Sequence, residues 1–239
     1  MSSEKDFDKA VELLGPHVSE NVTKFTPKDL TVPFLFRLDA SVPKNFVPRM
    51  PASAAQSENN TVPRVVTATT MFGCMSGHAG MVTFLWDRAG SETPDNHYKI
   101  SAFTFEFGLF PNKKLVYDAE DNKEAWLITY DKESLSYRPV PIGEMFFHKL
   151  SMTVMGKSKV DTRVAEFLAH ITLEEGMPLC EGIHLKKGFY YIKANMTKYA
   201  LSSKTGIKRA TIKDKEIFTV TPISASVFKN FRDISVGTK

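Results

Sequence analysis

Cysteine is scarce in this chain, and the scarcity closes several routes at once. Cys74 and Cys180 are the only two among 239 residues, and neither sits in a CxxC pair. Two isolated thiols cannot build a four-ligand zinc site by themselves. They also give no disulfide framework of the kind that staples small secreted folds, so a reducing compartment is expected. The six histidines form no HxxxH or HxH. Glu166 and His170 are spaced as a surface hydrogen-bonded pair on one helix, and no metal site is expected. The glycines at 73, 77 and 80 are followed by no GK[ST] ending, and GxGxxG is absent, which excludes the common phosphate loops. No apolar run reaches the roughly 18 residues of a membrane-spanning helix. The opening segment MSSEKDFDKAVELLG holds no apolar core of signal-peptide length. A cytoplasmic protein with no membrane partner is therefore expected.

What the chain does have is an ordinary globular balance, 42% hydrophobic and 24% charged, with eighteen phenylalanines. That aromatic load favours a filled core crossed by several strands. The net charge of +4 hides a division. Residues 151–239 carry 15 Lys and Arg against 8 Asp and Glu, while residues 1–150 carry 16 against 19. The excess concentrates in residues 184–215, where nine Lys and Arg face the single acid Asp214. A basic segment of this kind is a footprint for an anionic partner, nucleic acid first. The plain alternative is a solvated lysine-rich face.

Along the chain, Phe7, Val11 and Leu14 mark one face of a short helix, Lys5 to Leu14, ended by Gly15-Pro16. Pro33 to Leu38 reads as a strand. Residues 41–63, with four prolines and a polar run, read as a long loop. Arg64 to Thr70 is a β-branched strand leading into a helix start packed close to a sheet, rich in small residues, over Met71 to Gly80. Tyr98 to Phe107 reads as a strand with Phe103, Phe105 and Phe107 on one face, and Ala125 to Tyr130 and Met145 to Met155 as two more. Asp161 to Glu175 reads as the clearest helix, since Val164, Phe167, Leu168 and Ile171 fall at i, i+3, i+4 and i+7. Asp161 would cap its start, and Gly176 and Pro178 would close it. Strands are expected at Gly188 to Lys193, Arg209 to Lys213 and Glu216 to Thr221. A last helix, Ser224 to Asp233, would bury Val227, Phe228 and Phe231.

Arg49-Met-Pro-Ala-Ser, Glu58-Asn-Asn-Thr-Val-Pro-Arg-Val65 and Thr69-Thr-Met-Phe-Gly-Cys74, followed by His97-Tyr-Lys-Ile100 and Glu124-Ala-Trp-Leu-Ile128, resemble a pattern found in small uncharacterised bacteriophage proteins. The likeness covers roughly residues 33–150. The order of parts also resembles the ADP-ribosyltransferases. That resemblance implies NAD as cofactor, with Arg37 holding its ribose or diphosphate and Thr67 or Thr69 ordering the site. It implies that Glu124 stabilises the oxocarbenium-like charge as nicotinamide leaves. The implied setting is the cytoplasm of an infected bacterial host, with nucleic acid or a host protein as target. The alternative for these residues is structural: threonines favoured in strands, Arg37 at a strand end, and a solvated Glu124.

Two further constellations bear on function. Cys74 and His78 would lie one turn apart on a helix, the spacing of an activated nucleophile; the alternative is a thiol packed among glycines. In the basic stretch, Lys186, Lys187, Lys193, Lys198, Lys204, Lys208, Arg209 and Lys213 are interleaved with aromatics, among them Tyr191. Lysines attract phosphates, and exposed rings stack on bases.

The expected fold is α+β. Residues 1–150 would form a mixed, mostly antiparallel sheet with an ADP-ribosyltransferase-like arrangement, and 151–239 a smaller basic α+β lobe. The expected function is a phage accessory protein with that transferase-like domain. The alternatives are a non-enzymatic nucleic-acid-binding protein using the basic lobe, and a protein-binding inhibitor of a host enzyme or defence system.

Overall fold

The β-branched and aromatic runs of this sequence become strands, and so does the segment with the strongest helical period. The computed structural model describes residues 8, 11–12, 14–50, 59–71, 73–74, 97–116, 119–120, 122–128, 136–155, 160–180, 182–203, 206–207 and 218–230. Of these, 147–155, 160–170, 180, 193–203, 206–207 and 218 are described by their backbone alone. The strands are β1 Val22–Phe25, β2 Leu35–Asp39, β3 Arg64–Ala68, β4 His97–Phe103, β5 Gly108–Pro111, β6 Glu124–Ile128, β7 Val140–Met155, β8 Val160–Leu173, β9 Met177–Cys180, β10 Ile183–Leu185, β11 Gly188–Ser203, β12 Gly206–Ile207 and β13 Phe218–Ile223. The registers of β1 with β5, β2 and β6 with β3, β7 and β11 with β8, and β12 and β13 with β11 are all antiparallel. Among the described residues helix is confined to short pieces: the turn Pro16–Ser19, the 3-10 turn Pro27–Asp29, and residues 8, 11–12, 14, 71, 73–74 and 225–230. The fold is therefore β-rich, and the α+β expectation is corrected. No helix among the described residues is long and apolar enough to cross a membrane.

The chain divides into two units. The first comprises Met1–Gly77, Ile100–Pro141 and Met177–His184, and the second His78–Lys99, Ile142–Gly176 and Leu185–Lys239. The boundary expected at residue 150 falls inside β7.

In the first unit the strand order is β1-β5-β6-β3-β2. β6 is buried along its whole length, because both of its faces are covered. On one side Trp126 and Ile128 pack with Val18, Val62 and Leu109. On the other, Ala125 and Leu127 pack with Phe25, Leu35, Val65 and Phe103. A strand buried on both faces needs a continuous apolar run, and Ala125-Trp-Leu-Ile128 supplies it. The expected alignment of Phe103, Phe105 and Phe107 is not kept. β4 ends at Phe103; Phe103 and Phe105 join the Leu127 side, and Phe107 packs against the Trp126 side. Gly108 follows because a Cβ there would press on the Phe25 ring, which stacks on Phe110 with centroids 3.8 Å apart.

In the second unit β7, β8 and β11 lie side by side, with β12 and β13 both paired to β11. The helix expected over Asp161 to Glu175 is strand β8. Its apolar residues satisfy two periods at once. Ala165, Phe167, Ala169, Ile171 and Leu173 alternate without a break, and the two small alanines conceal that alternation behind the i, i+3, i+4, i+7 set. Fourteen paired positions with β11 and twelve with β7 decide the matter. Where the side chains are described, Ile171 and Leu173 are buried and Thr172 between them is half-buried, the period of a strand. The register with β7 shifts between Phe147 and Lys149, so that His148 has no partner. Gly143 lies against the Thr172 carbonyl too closely to admit a Cβ. Phe228, in the helical segment 225–230, is buried as expected and packs on Phe146 and Phe189 at 5.8 and 5.3 Å. Val227 is 48% exposed, contrary to expectation, because on a one-and-a-half-turn helix adjacent residues cannot face the same sheet. Phe231 and the strand expected at Arg209 to Lys213 lie outside the described residues.

Candidate functional site

The register of β2, β3 and β6 fixes where the three transferase-like candidates stand. Phe36 pairs with Ala68, Ala68 with Glu124, Val66 with Trp126, and Thr67 with Ala125. Directly opposed residues share a face, and successive residues alternate. Glu124 therefore stands with Trp126, Val66 and Ala68 on one face. Arg37 and Thr67 stand with Leu35 and Ala125 on the other. The two hydrophobic clusters sort in the same way.

Each of these residues is engaged locally. The Glu124 carboxylate accepts a hydrogen bond from Trp126 Nε1 at 2.6 Å, and the side chain is buried. Arg64 lies over the face of the same indole, its guanidinium carbon 4.1 Å from the ring centroid. The Thr67 hydroxyl donates to the Ala125 carbonyl at 2.8 Å in a buried setting. Thr69 follows β3, where its N–H donates to the Lys123 carbonyl. Arg37 Nε bridges both Asp39 oxygens at 2.9 Å, and its Nη1 donates to the Val66 carbonyl at 2.7 Å. Its guanidinium also lies 5.2 Å from the Phe46 ring centroid. Burial pushes the Asp39 carboxyl above its usual range, against the pull of Arg37 and Arg49. No single wall presents Arg37, Thr67 and Glu124 together to one NAD molecule.

Cys74 is buried, and that burial pushes its thiol up to about 12, far from a thiolate at neutral pH. It packs as an apolar group. His78, its expected partner, lies outside the described residues. Among the described residues no group of three or more His, Cys, Asp or Glu side chains gathers to hold a metal.

The basic candidates belong to the second unit. Lys186 and Lys187 are exposed between β10 and β11, and the Lys186 carbonyl accepts the Tyr190 hydroxyl at 2.8 Å. Tyr191 is half-buried in β11, paired with His170 on β8 and Thr221 on β13. Lys193 pairs with Leu168, which on its other side pairs with Lys149 of β7. Lys198 pairs directly with Arg163. Lys204, Lys208, Arg209 and Lys213 lie outside the described residues. Lys149 and Arg163 were missed from sequence, because a helix at 161–175 hides which residues stand opposite them. Their signal is the two-residue alternation of 165–173.

A separate charged group lies in the same unit. Glu144 takes Lys99 through one carboxylate oxygen and His97 Nε2 at 3.3 Å through the other. The His97 ring lies flat on Phe146, 4.2 Å between centroids.

Compared with family models, with curated proteins and with solved structures, the chain gives no match.

Proposed function

We propose that the protein acts by binding, with nucleic acid as partner along β8 and β11 of the second unit. One observation carries this reading: Arg163 and Lys198 are direct antiparallel partners. Two like charges in that position destabilise a strand pair, by roughly 0.2–1 kcal/mol on the scale of cross-strand pairs. An anion lying over them reverses the sign. Asp161 stands two residues before Arg163 in β8, opposite Ala200, and the formal charge of Asp161, Arg163 and Lys198 together is still positive. The stretches of sequence that follow β7 and β11 are also basic. Residues 156–159, between β7 and β8, bring Lys157 and Lys159, and residues 204–215 bring five Lys and Arg against Asp214. The register pairs Leu201 with Val160, so β11 reaches the start of β8 before entering the second of these segments.

The enzymatic reading is less well supported. Transfer from NAD needs the arginine, the hydroxyl and the glutamate around one ligand, and Arg37 and Thr67 share a face from which Glu124 is turned away.

Fluorescence anisotropy with labelled single- and double-stranded DNA and RNA tests the proposal. Affinity should fall steeply with salt, by about 0.9 log units per log salt for each duplex phosphate neutralised. Lys198→Thr and a Lys186→Glu, Lys187→Glu double variant should both weaken it. Absence of binding, or binding indifferent to salt and to both variants, rejects the reading.

A further inference from the structure

We propose that the first unit holds an oxyanion subsite in the cleft where the Phe46–Arg49 segment runs beside β3, taking a phosphate or carboxylate group on Arg37 and Arg49. Phe46 bridges to Tyr137, and Arg49 to Arg64. Arg49 is thereby held in place through its backbone, with N–H to carbonyl distances of 3.2 and 3.0 Å to and from Arg64. Between this segment and Arg37 lies an open cleft of about 140 Å³, walled by Arg37, Arg49, Arg64, Phe46 and Val47 among others. Two of its walls, Arg37 and Arg49, bring cationic groups, and no carboxylate lines it; the Arg64 guanidinium lies instead over the Trp126 ring. The nearest acid, Asp39, is occupied in clamping Arg37.

The state of the two arginines indicates which ligand suits them. Arginine carries five N–H donors in a planar fork. In Arg37 the Nε–H is given to Asp39 and one Nη1–H to Val66, which leaves three donors uncommitted among the described residues. Asp39 and the Phe46 ring fix the plane of that fork, so an incoming oxyanion meets donors already aligned and little ordering entropy is lost. Arg49 is exposed, and its side chain makes no hydrogen bond among the described residues. Fork geometry matches the paired oxygens of phosphate and carboxylate groups. Val47, 62% exposed, and Phe46 give the cleft an apolar side, which fits an anionic group attached to an apolar or aromatic neighbour.

The full chain can be examined by NMR of the arginine Nε–Hε groups, titrated with sodium phosphate, sodium acetate or sodium chloride at matched ionic strength. Saturable shifts of Arg37 and Arg49 with phosphate or with acetate, absent with chloride, are expected, and the stronger of the two arms identifies the group. Arg49→Gln should weaken that binding about tenfold, the loss of a charge-assisted contact, and Arg37→Lys should weaken it as well. Lys44→Gln and Lys198→Thr should leave it unchanged. Shifts no larger than those with chloride, or an Arg49→Gln variant that binds as the parent does, overturn the proposal. Because Lys198 belongs to the other unit, failure of nucleic-acid binding there and failure of the anion subsite are separate results.

Discussion

Arg64 and Glu124 share one indole in the first unit: the cation lies over the Trp126 ring, and the carboxylate takes its N–H. Arg163 and Lys198 in the second unit face each other across a strand pair. All four are charged residues in strands; the first two are complemented by the indole between them, whereas the other two stand directly opposite a residue of their own sign. A charge in a strand is structural when the residue beside or opposite it complements it, and it is available for recognition when that residue repeats its sign. The comparison turns attention from Glu124, which the resemblance to transferases put first, to a pair that no motif marks.

Trp126→Ala should have the largest effect on this contrast. It removes a fully buried indole and the partner of two charged groups, and should cost about 3–5 kcal/mol in urea unfolding. Amide exchange at Leu127 would report whether the loss begins in the first unit. A cost below about 1 kcal/mol, the level of many surface changes, would show that the indole does not anchor that unit. Gly143→Ala in the second unit should cost less, roughly 1–3 kcal/mol, because the added methyl meets the Thr172 carbonyl. Lys198→Thr should go the other way. Removing one of two opposed like charges, and placing a β-branched residue in a strand, should raise stability by about 0.2–1 kcal/mol while DNA affinity falls. A loss of stability in that variant would show that the pair is not repulsive, and the contrast between the units would end there.

Much of the first unit was legible in sequence. Arg64-Val-Val-Thr-Ala68 and Ala125-Trp-Leu-Ile128 are strands because β-branched and aromatic residues run there without interruption. The prolines of 41–63 exclude regular structure, and the described residues of that stretch form only isolated bridges. The face on which Glu124 stands could not be read. It depends on Thr67 pairing with Ala125 rather than with a neighbour, and a slip of one residue would exchange the faces. The Arg37 cleft was hidden for a similar reason. Asp39 is two residues away and could have been inferred as a same-face partner in a strand, but Arg49 reaches β3 only through the return of a long loop. In the second unit the error at 161–175 had a local cause. Alanine adds little to either period, so Ala165 and Ala169 left the helical set looking complete.

His148 has a consequence for how β7 is written. Before it, Gly143, Met145 and Phe147 fall in the rows of Leu173, Ile171 and Ala169. After it, Leu150, Met152 and Val154 fall in the rows of Phe167, Ala165 and Arg163. The odd-numbered positions hold one side of the strand up to Phe147, and the even-numbered positions hold it from Leu150 onward. The strand is thus composed in two phases, and a single unpaired residue splices them. Deleting that residue would join the two phases directly, with Phe147 and Lys149 in successive rows and Leu150 and Met152 still opposite Phe167 and Ala165; pairing it in a regular ladder instead would turn the second half over.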